Sequence, residues 1–343
     1  MLSDLSLALV SDWIATGTLL FGGCCSNALT LEQLTSHYPN SGSLITFAQF
    51  LAISIHGLPK FIVFTPYPKL RPRRIPILPY LIQVALFYAV SLLNNAAFAY
   101  RIPMAVHIIF RSGGLVINMI MGWLLRGKRY SPGQVASVLL VTAGVILTTL
   151  SASKPRAPKT SQFNSLTYIL GISILTLALV LSGFLGMVQD KTFATYPPAW
   201  QESMFYLHML SMPMFYFVRN DLASQWTALQ ASPTVQFVVP TPLPLTAPGY
   251  VPLALNTLTQ IVCVSGVHRL TSRVSSLTVT LVLVVRKAVS LLISVLLFGS
   301  RGTDQPGTRG MMWVGAAMVL VGTVAYSLAS RTPPKSEEKT KRD

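Results

Sequence analysis

Arg111, Arg286 and Lys287 lie near the middle of long apolar stretches, and no Asp or Glu sits at the same depth. A charged side chain at the centre of a bilayer costs about 2.5–3.5 kcal/mol on insertion scales, so it normally pairs with another charge or lines a wet path. With no acidic partner in the spans, these cations are expected to meet an anion from outside the chain, and a phosphorylated substrate would supply one. A guanidinium forks around two phosphate oxygens, each charge-assisted bond being worth about 1.5–3 kcal/mol. The alternative is that Arg111 snorkels or caps the carbonyls of a neighbouring helix.

The neighbours of these cations follow helical spacing. His107, Arg111, Gly114, Asn118 and Gly122 recur on one face, between flanks of Ile, Val, Met and Leu. Further along, Arg286, Ser290 and Ser294 form one stripe, while Ser276, Thr280, Leu283 and Lys287 form the next. Consecutive residues diverge by about 100° on a helix, so one of the two cations can face a cavity while the other points elsewhere. Asn27, Gln49, Asn94, Asn95, Tyr206, His208, Asn256, Thr259 and Gln260 are also polar within apolar stretches. Unpaired amides are costly in hydrocarbon, so these side chains are expected to face a cavity or one another. For any single one, a structural hydrogen bond between helices is as good an account as ligand contact.

Enzymatic chemistry fits poorly. The ten acidic residues fall in loops or at span ends, and the five histidines are scattered, so no carboxylate pair, His cluster or activated nucleophile is formed. The lack of mid-span carboxylates also argues against proton or sodium coupling, whereas exchange of one anion for another needs no such relay. Cys24, Cys25 and Cys263 lack metal-ligand spacing and are expected to pack in the core.

The elements that must position these residues are membrane spans. Charged residues make up 10% of the chain, hydrophobic ones 52%, and the mean hydropathy is +0.56, which is the composition of an integral membrane protein. Stretches of about 20 apolar residues, long enough to cross a bilayer, occur at 13 to 31, 43 to 64, 77 to 98, 103 to 125, 132 to 151, 166 to 189, 200 to 218, 249 to 268, 275 to 298 and 310 to 329. A net charge of +16 would suggest nucleic acid in a soluble chain. Here the basic residues sort by side: with a cytosolic N-terminus, sixteen of the 26 fall in cytosolic loops and tails, seven on the opposite side and three within spans. The positive-inside bias therefore predicts two cytosolic termini and no nucleic-acid partner. The first apolar stretch has neither a basic leader nor an evident cleavage site and is expected to be retained.

The fold expected is an all-α membrane protein of ten transmembrane helices, arranged as two inverted five-helix repeats. Residues 1–151 form the first repeat, 152–165 a basic linker, 166–330 the second repeat and 331–343 a cytosolic tail. Aligning IIFRSGGLVINMIMG (108–122) with LVVRKAVSLLISVLLFG (283–299) puts Arg111 and Arg286 in the fourth helix of each half, and a Gly-containing helix closes both. Inverted repeats of this kind hold a midplane substrate site in secondary transporters. The basic, proline-rich segment TPYPKLRPRRIP (65–76) is expected to be a solvated topology anchor, and residues 219–248 the longest loop, on the non-cytosolic side.

The stretches GGCCSNALTLEQL (22–34), TFAQF (46–50), VSLLNN (90–95), MAVHIIFRSGGLVINM (104–119), GKRYSP (127–132), FYLHMLSMP (205–213), NTLTQIVCVSGV (256–267) and SSLTVTLVLVVRKAVSLLIS (275–294) together resemble the nucleotide-sugar transporters of the drug/metabolite transporter superfamily. The subgroup carrying UDP-N-acetylglucosamine and UDP-xylose is the nearest. The resemblance implies a ten-helix exchanger of the Golgi and endoplasmic reticulum that needs no cofactor. It would import a UDP-sugar against UMP. Arg111, Arg286 and Lys287 would hold the diphosphate. Phe205 and Tyr206 match a nucleotide-reading FY pair, although Leu207 stands where related transporters often have Asn, and His208, Asn256 and Gln260 are grouped with them. Asn94, Asn95, Ser112 and Asn118 are assigned to the sugar. A UDP-xylose-selective carrier, another phosphorylated-metabolite exchanger and a non-transporting membrane scaffold are the alternatives. Lys339 and Lys341 match a dibasic signal by which coat proteins retrieve membrane proteins to the endoplasmic reticulum. The alternative there is a polybasic tail near anionic lipid.

Overall fold

The computed structural model describes residues 2–38, 41–64, 67–99, 113–152, 165–196, 199–231, 235–237, 245–298 and 306–330. The apolar stretches are helical, as hydrocarbon requires of a single segment that must satisfy its own backbone. The first helix begins as α1 (Leu2–Thr18), passes through a π-turn (Leu19–Gly23) and continues as α2 (Cys24–His37). After α3 (Gly42–Phe61) come a hairpin of β1 (Ile62–Phe64) and β2 (Pro68–Leu70), then α4 (Ile77–Ala99), α5 (Gly114–Arg126), α6 (Pro132–Ala152) and α7 (Ser165–Thr195). Helix α8 (Trp200–Ser211) gives way to a 3-10 segment (Met212–Val218) and α9 (Arg219–Gln230). The strands β3 (Val235–Phe237) and β4 (Leu245–Ala247) precede α10 (Tyr250–Thr271), α11 (Ser276–Phe298) and α12 (Pro306–Ala329).

Among the described residues, seven helices are long and apolar enough to cross a membrane. The stretch expected at 103 to 125 is described only from residue 113, the one at 275 to 298 is the single helix α11, and the one at 200 to 218 is split between α8 and the 3-10 segment.

Local chemistry sets several boundaries. Gly127 ends α5 at φ 61°, a left-handed conformation that glycine adopts without penalty, and the Lys128 N–H closes back on the Gly122 carbonyl at 3.0 Å. Helix α6 then opens on a capping box. The Gln134 N–H donates to Ser131 Oγ at 3.2 Å, the Ser131 N–H donates to Gln134 Oε1 at 2.8 Å, and Pro132 takes the first helical position.

Two residue ranges expected to be irregular are built. The segment at 219–248 is not one long loop, because 219–230 forms α9. Asp221 in its first turn accepts from Gln225 Nε2 one turn on, at 2.8 Å, and Gln225 Oε1 takes the free Leu44 N–H at the start of α3, also at 2.8 Å. The segment at 65–76 is not merely solvated: β1 and β2 pair antiparallel with Val63 opposite Lys69.

The chain divides into two compact units, Met1–Val84 with Asp190–Val274, and Ala85–Gln189 with Ser275–Asp343, so each draws on both halves of the sequence. In the first unit, the opening helix runs antiparallel to α10 at backbone contact. A Cβ on Gly23 would lie 2.8 Å from the Cys263 nitrogen, and one on Gly266 would lie 2.7 Å from the Leu20 nitrogen. Small residues permit this approach where lipid offers no hydrophobic drive between helices. Cys24 and Cys263 are joined there in a disulfide, with Cα atoms 4.3 Å apart, while Cys25 is buried and takes no part in a disulfide. Core packing alone therefore does not describe the cysteines: Cys24 and Cys25 are both buried, but Cys24 is also bonded to Cys263. Near one end of this pair, Asp12 makes ion pairs with Arg269 and Arg273.

In the second unit, α6 and α12 form an equally close antiparallel pair. Gly133 faces Ala329, Gly322 faces Ser137 and Val141, and a Cβ on either Gly144 or Gly315 would sit 2.7 Å from the other's carbonyl oxygen. Leu115 of α5, Val138 and Val141 of α6, Leu277 and Leu281 of α11 and Val319 of α12 close the core of this unit.

Candidate functional site

In the first unit, α8 carries the aromatic pair singled out from the sequence. Phe205 is fully buried, stacks on Phe61 with ring centroids 5.0 Å apart, and packs against Gly57 of α3. Tyr206 is also buried. It stacks on Tyr80 at 5.5 Å, and the Arg73 guanidinium lies 5.7 Å from its ring centre. Its hydroxyl finds no hydrogen-bond partner among the described residues. His208, one turn beyond Met204, donates from Nδ1 to the Met204 carbonyl at 2.6 Å, and its ring lies between Phe50 and His268 at 4.7 and 5.9 Å.

Asn256 is 0% exposed, and both ends of its amide are engaged. Its Oδ1 accepts from Gln49 Nε2 at 2.7 Å, while its Nδ2 donates to the Asn27 carbonyl at 3.2 Å and to Thr30 Oγ1 at 3.1 Å. The structure thus uses this amide to join α2, α3 and α10. Gln260, one turn further along α10, is half-buried. The mutual pairing of polar residues anticipated for Asn27, Gln49 and Asn256 holds for these three.

The second unit holds the remaining described candidates. Asn118 on α5 donates to Thr280 Oγ1 on α11 at 2.9 Å, and Gly186 of α7 leaves room beside them: a Cβ there would lie 3.5 Å from Asn118 Oδ1 and 3.1 Å from Ser276 Cβ. Thr280 and Arg286 are both on α11, six residues apart, or about 9 Å along the axis. Arg286 is half-buried and Lys287 exposed, as the 100° between consecutive residues demands. Asn94 donates to the Val90 carbonyl of its own helix at 2.8 Å. Arg111, Ser112, Lys339, Lys341 and the side chain of Asn95 lie outside the described residues.

One charged residue escaped the sequence reading. Glu202, near the start of α8, is only 5% exposed. Its carboxylate accepts from the Arg74 N–H at 2.9 and 3.1 Å, from the Ile75 N–H at 3.0 Å and from the Tyr80 hydroxyl at 3.2 Å. An acidic residue just inside an apolar stretch was the available signal, but its partners are more than a hundred residues away.

Comparison with known proteins gives this geometry a context. A family model described as the UAA transporter family matches residues 13–330. The chain is 38% identical over 326 residues to the UDP-N-acetylglucosamine transporter of Schizosaccharomyces pombe, covering 95% of this chain and 98% of that one. It is 36% identical to the UDP-xylose and UDP-N-acetylglucosamine transporter of Danio rerio, over 90% and 92% of the two chains. It is 38% identical to the endoplasmic reticulum GDP-fucose transporter of Drosophila melanogaster, over 90% and 88%. The fold is similar to that of a protein of known crystal structure, with a TM-score of 0.57 at 17% identity over 94% of this chain and 98% of the other. With a family model matched along nearly its full length and relatives above 30% identity end to end, the chain belongs to the UAA transporter family.

Proposed function

We propose that this protein is a nucleotide-sugar antiporter that carries UDP-N-acetylglucosamine, and UDP-xylose beside it, from the cytosol into the lumen of the endoplasmic reticulum and Golgi in exchange for UMP. The observation that carries the reading is the extent of similarity to relatives named for those two sugars. Arg286, half-buried in the middle of α11 with buried Ser290 one turn away, is the cation best placed to meet a diphosphate, together with Arg111 and with exposed Lys287 as an outer contact. Asn118 beside Thr280, with Asn94, Asn95 and Ser112, serves the sugar. Tyr206 and His208, with Phe205 as their packing support, serve the nucleotide together with Gln260, and Asn256 acts there through the helices that it joins.

The scaffold for this traffic is two inverted repeats of five helices, residues 1–151 and 166–330, with both termini cytosolic. The antiparallel pairing of α6 with α12, which end the two halves, supports it, since inverted repeats require their corresponding helices to run in opposite senses. Lys339 and Lys341 in the tail would be read by coat proteins and return the carrier to the endoplasmic reticulum.

A second reading, GDP-fucose transport, is favoured by the relative of that name. One experiment separates the two: uptake of labelled UDP-N-acetylglucosamine, UDP-xylose and GDP-fucose into proteoliposomes preloaded with UMP, with GMP or with nothing. Entry of the UDP-sugars stimulated by UMP alone is the expected result. Stimulation by GMP of GDP-fucose entry would replace the first reading with the second. Equal entry into empty vesicles under a proton gradient would remove antiport.

A further inference from the structure

The segment from Leu70 to Pro76 is a shaped, basic surface held from below. Arg71 is tied at its backbone, its N–H donating to the Phe61 carbonyl at 2.7 Å where β2 leaves the hairpin. Arg74 and Ile75 are tied by the Glu202 carboxylate, and the Ile75 side chain is buried beneath the turn. Pro72 and Pro76 fix two further backbone angles. The Arg73 guanidinium rests over Tyr206. Above this scaffold the side chains of Arg71, Arg73 and Arg74 are exposed, and none makes an ion pair among the described residues. They border a cavity of about 440 Å³ with Leu70, Ile75 and Tyr196. On the adjoining hairpin, Phe64 and Tyr67 are 75% and 72% exposed.

A buried carboxylate committed to backbone N–H groups leaves the guanidinium charges uncompensated, which is the opposite of what a merely stabilising ion pair would do. Exposed aromatic rings beside clustered arginines are the composition of the membrane–water boundary, where rings sit at headgroup depth and cations meet lipid phosphate. We propose that the turn Arg71–Arg74 is a docking site for the phosphate of an anionic membrane lipid. The guanidinia take the phosphate oxygens, the cavity takes the headgroup, and Phe64 and Tyr67 enter the interface beside it. Glu202 is the positioning residue: it holds the turn in shape and does not touch the lipid. The inference rests on the membrane-spanning character of the chain and is independent of which sugar nucleotide is carried.

The test uses the full chain in nanodiscs of phosphatidylcholine containing a minor fraction of phosphatidylinositol 4-phosphate, with co-purifying lipid counted by native mass spectrometry. The informative variant is Arg71→Lys with Arg74→Lys. It keeps the net charge and topology, changes two exposed side chains only, and removes the planar fork that grips phosphate. The proposal expects roughly a threefold or greater loss of retained anionic lipid in this variant, with an unchanged melting temperature in pure phosphatidylcholine. Excess inorganic phosphate or UMP is expected to leave the lipid bound in the parent protein. Equal retention by the variant would reduce the surface to a diffuse basic field, and displacement by phosphate or UMP would make it a site for soluble anions. Either result overturns the proposal.

Discussion

Asn27 and Asn256 hold each other's backbone. The Asn27 amide donates to the Asn256 carbonyl at 3.0 Å, and the Asn256 amide donates back to the Asn27 carbonyl at 3.2 Å, across 229 residues of sequence. Both groups are buried, so each loss strands a partner rather than returning it to water.

Asn256→Ala is therefore expected to lower stability by about 1–3 kcal/mol, because Gln49 Nε2 and Thr30 also lose a partner. Asn27→Ala should cost less. The double variant should lose less than the sum, with a coupling of about 0.5–2 kcal/mol. Thermal unfolding of the four proteins in one detergent measures this, and strict additivity would show that the two amides act independently.

The disulfide makes a chemical prediction. Maleimide labelling of the denatured, unreduced chain should add one label, at Cys25, and labelling after reduction should add three. Replacing Cys24 and Cys263 by Ser should lower stability by about 2–4 kcal/mol, since the bond closes a very long loop. Three labels without reductant would show that the two thiols are not joined.

Gly144 and Gly315 touch through backbone, and neither α6 nor α12 has room for a side chain between them. Gly144→Leu should cost about 1–3 kcal/mol by overpacking, whereas Gly310→Leu, with open space around its Cα, should be close to neutral. Leu is a better helix former than Gly at either position, so a comparable loss at both would show that backbone contact between the two glycines is not what the substitution disturbs.

The proposed diphosphate contacts predict a functional loss without a folding loss. Arg286→Ala and Arg111→Ala should each reduce exchange by at least about tenfold, the value of one charge-assisted hydrogen bond. Melting without ligand should stay near that of the parent, and the upward shift with UMP should disappear. Lys287→Ala should have the smaller effect, its side chain being exposed. A full UMP shift in both arginine variants would remove these residues from the site.

Hydropathy and charge are local and one-dimensional, and they determined most of what the sequence could fix. Helix positions follow from apolar length, because hydrocarbon leaves a spanning segment no other way to satisfy its backbone. The membrane class follows from composition, and the motifs carried the family likeness that the comparisons then established. The Gly127 stop and the start of α6 at Ser131 also rest on neighbours a few residues apart.

Partner and rotation were decided only in three dimensions. In lipid a helix has no wet face, so an apolar span carries little periodic signal for which side meets which neighbour. The same physics hid the union of Cys24 with Cys263, the exchange between Asn27 and Asn256, and the hold of Glu202 on the Arg74–Ile75 backbone, each linking residues more than a hundred positions apart. Residues 219–230 were obscured for a different reason: α9 is a mostly polar, exposed helix, invisible to a search for apolar length, and it is tied to α3 through Gln225 and Leu44. The sequence therefore determined which segments are apolar enough to form helices of spanning length and which cations lie along them. Which side chains those segments press together was settled by packing between helices, an energy that depends on shape and that no count along the chain records.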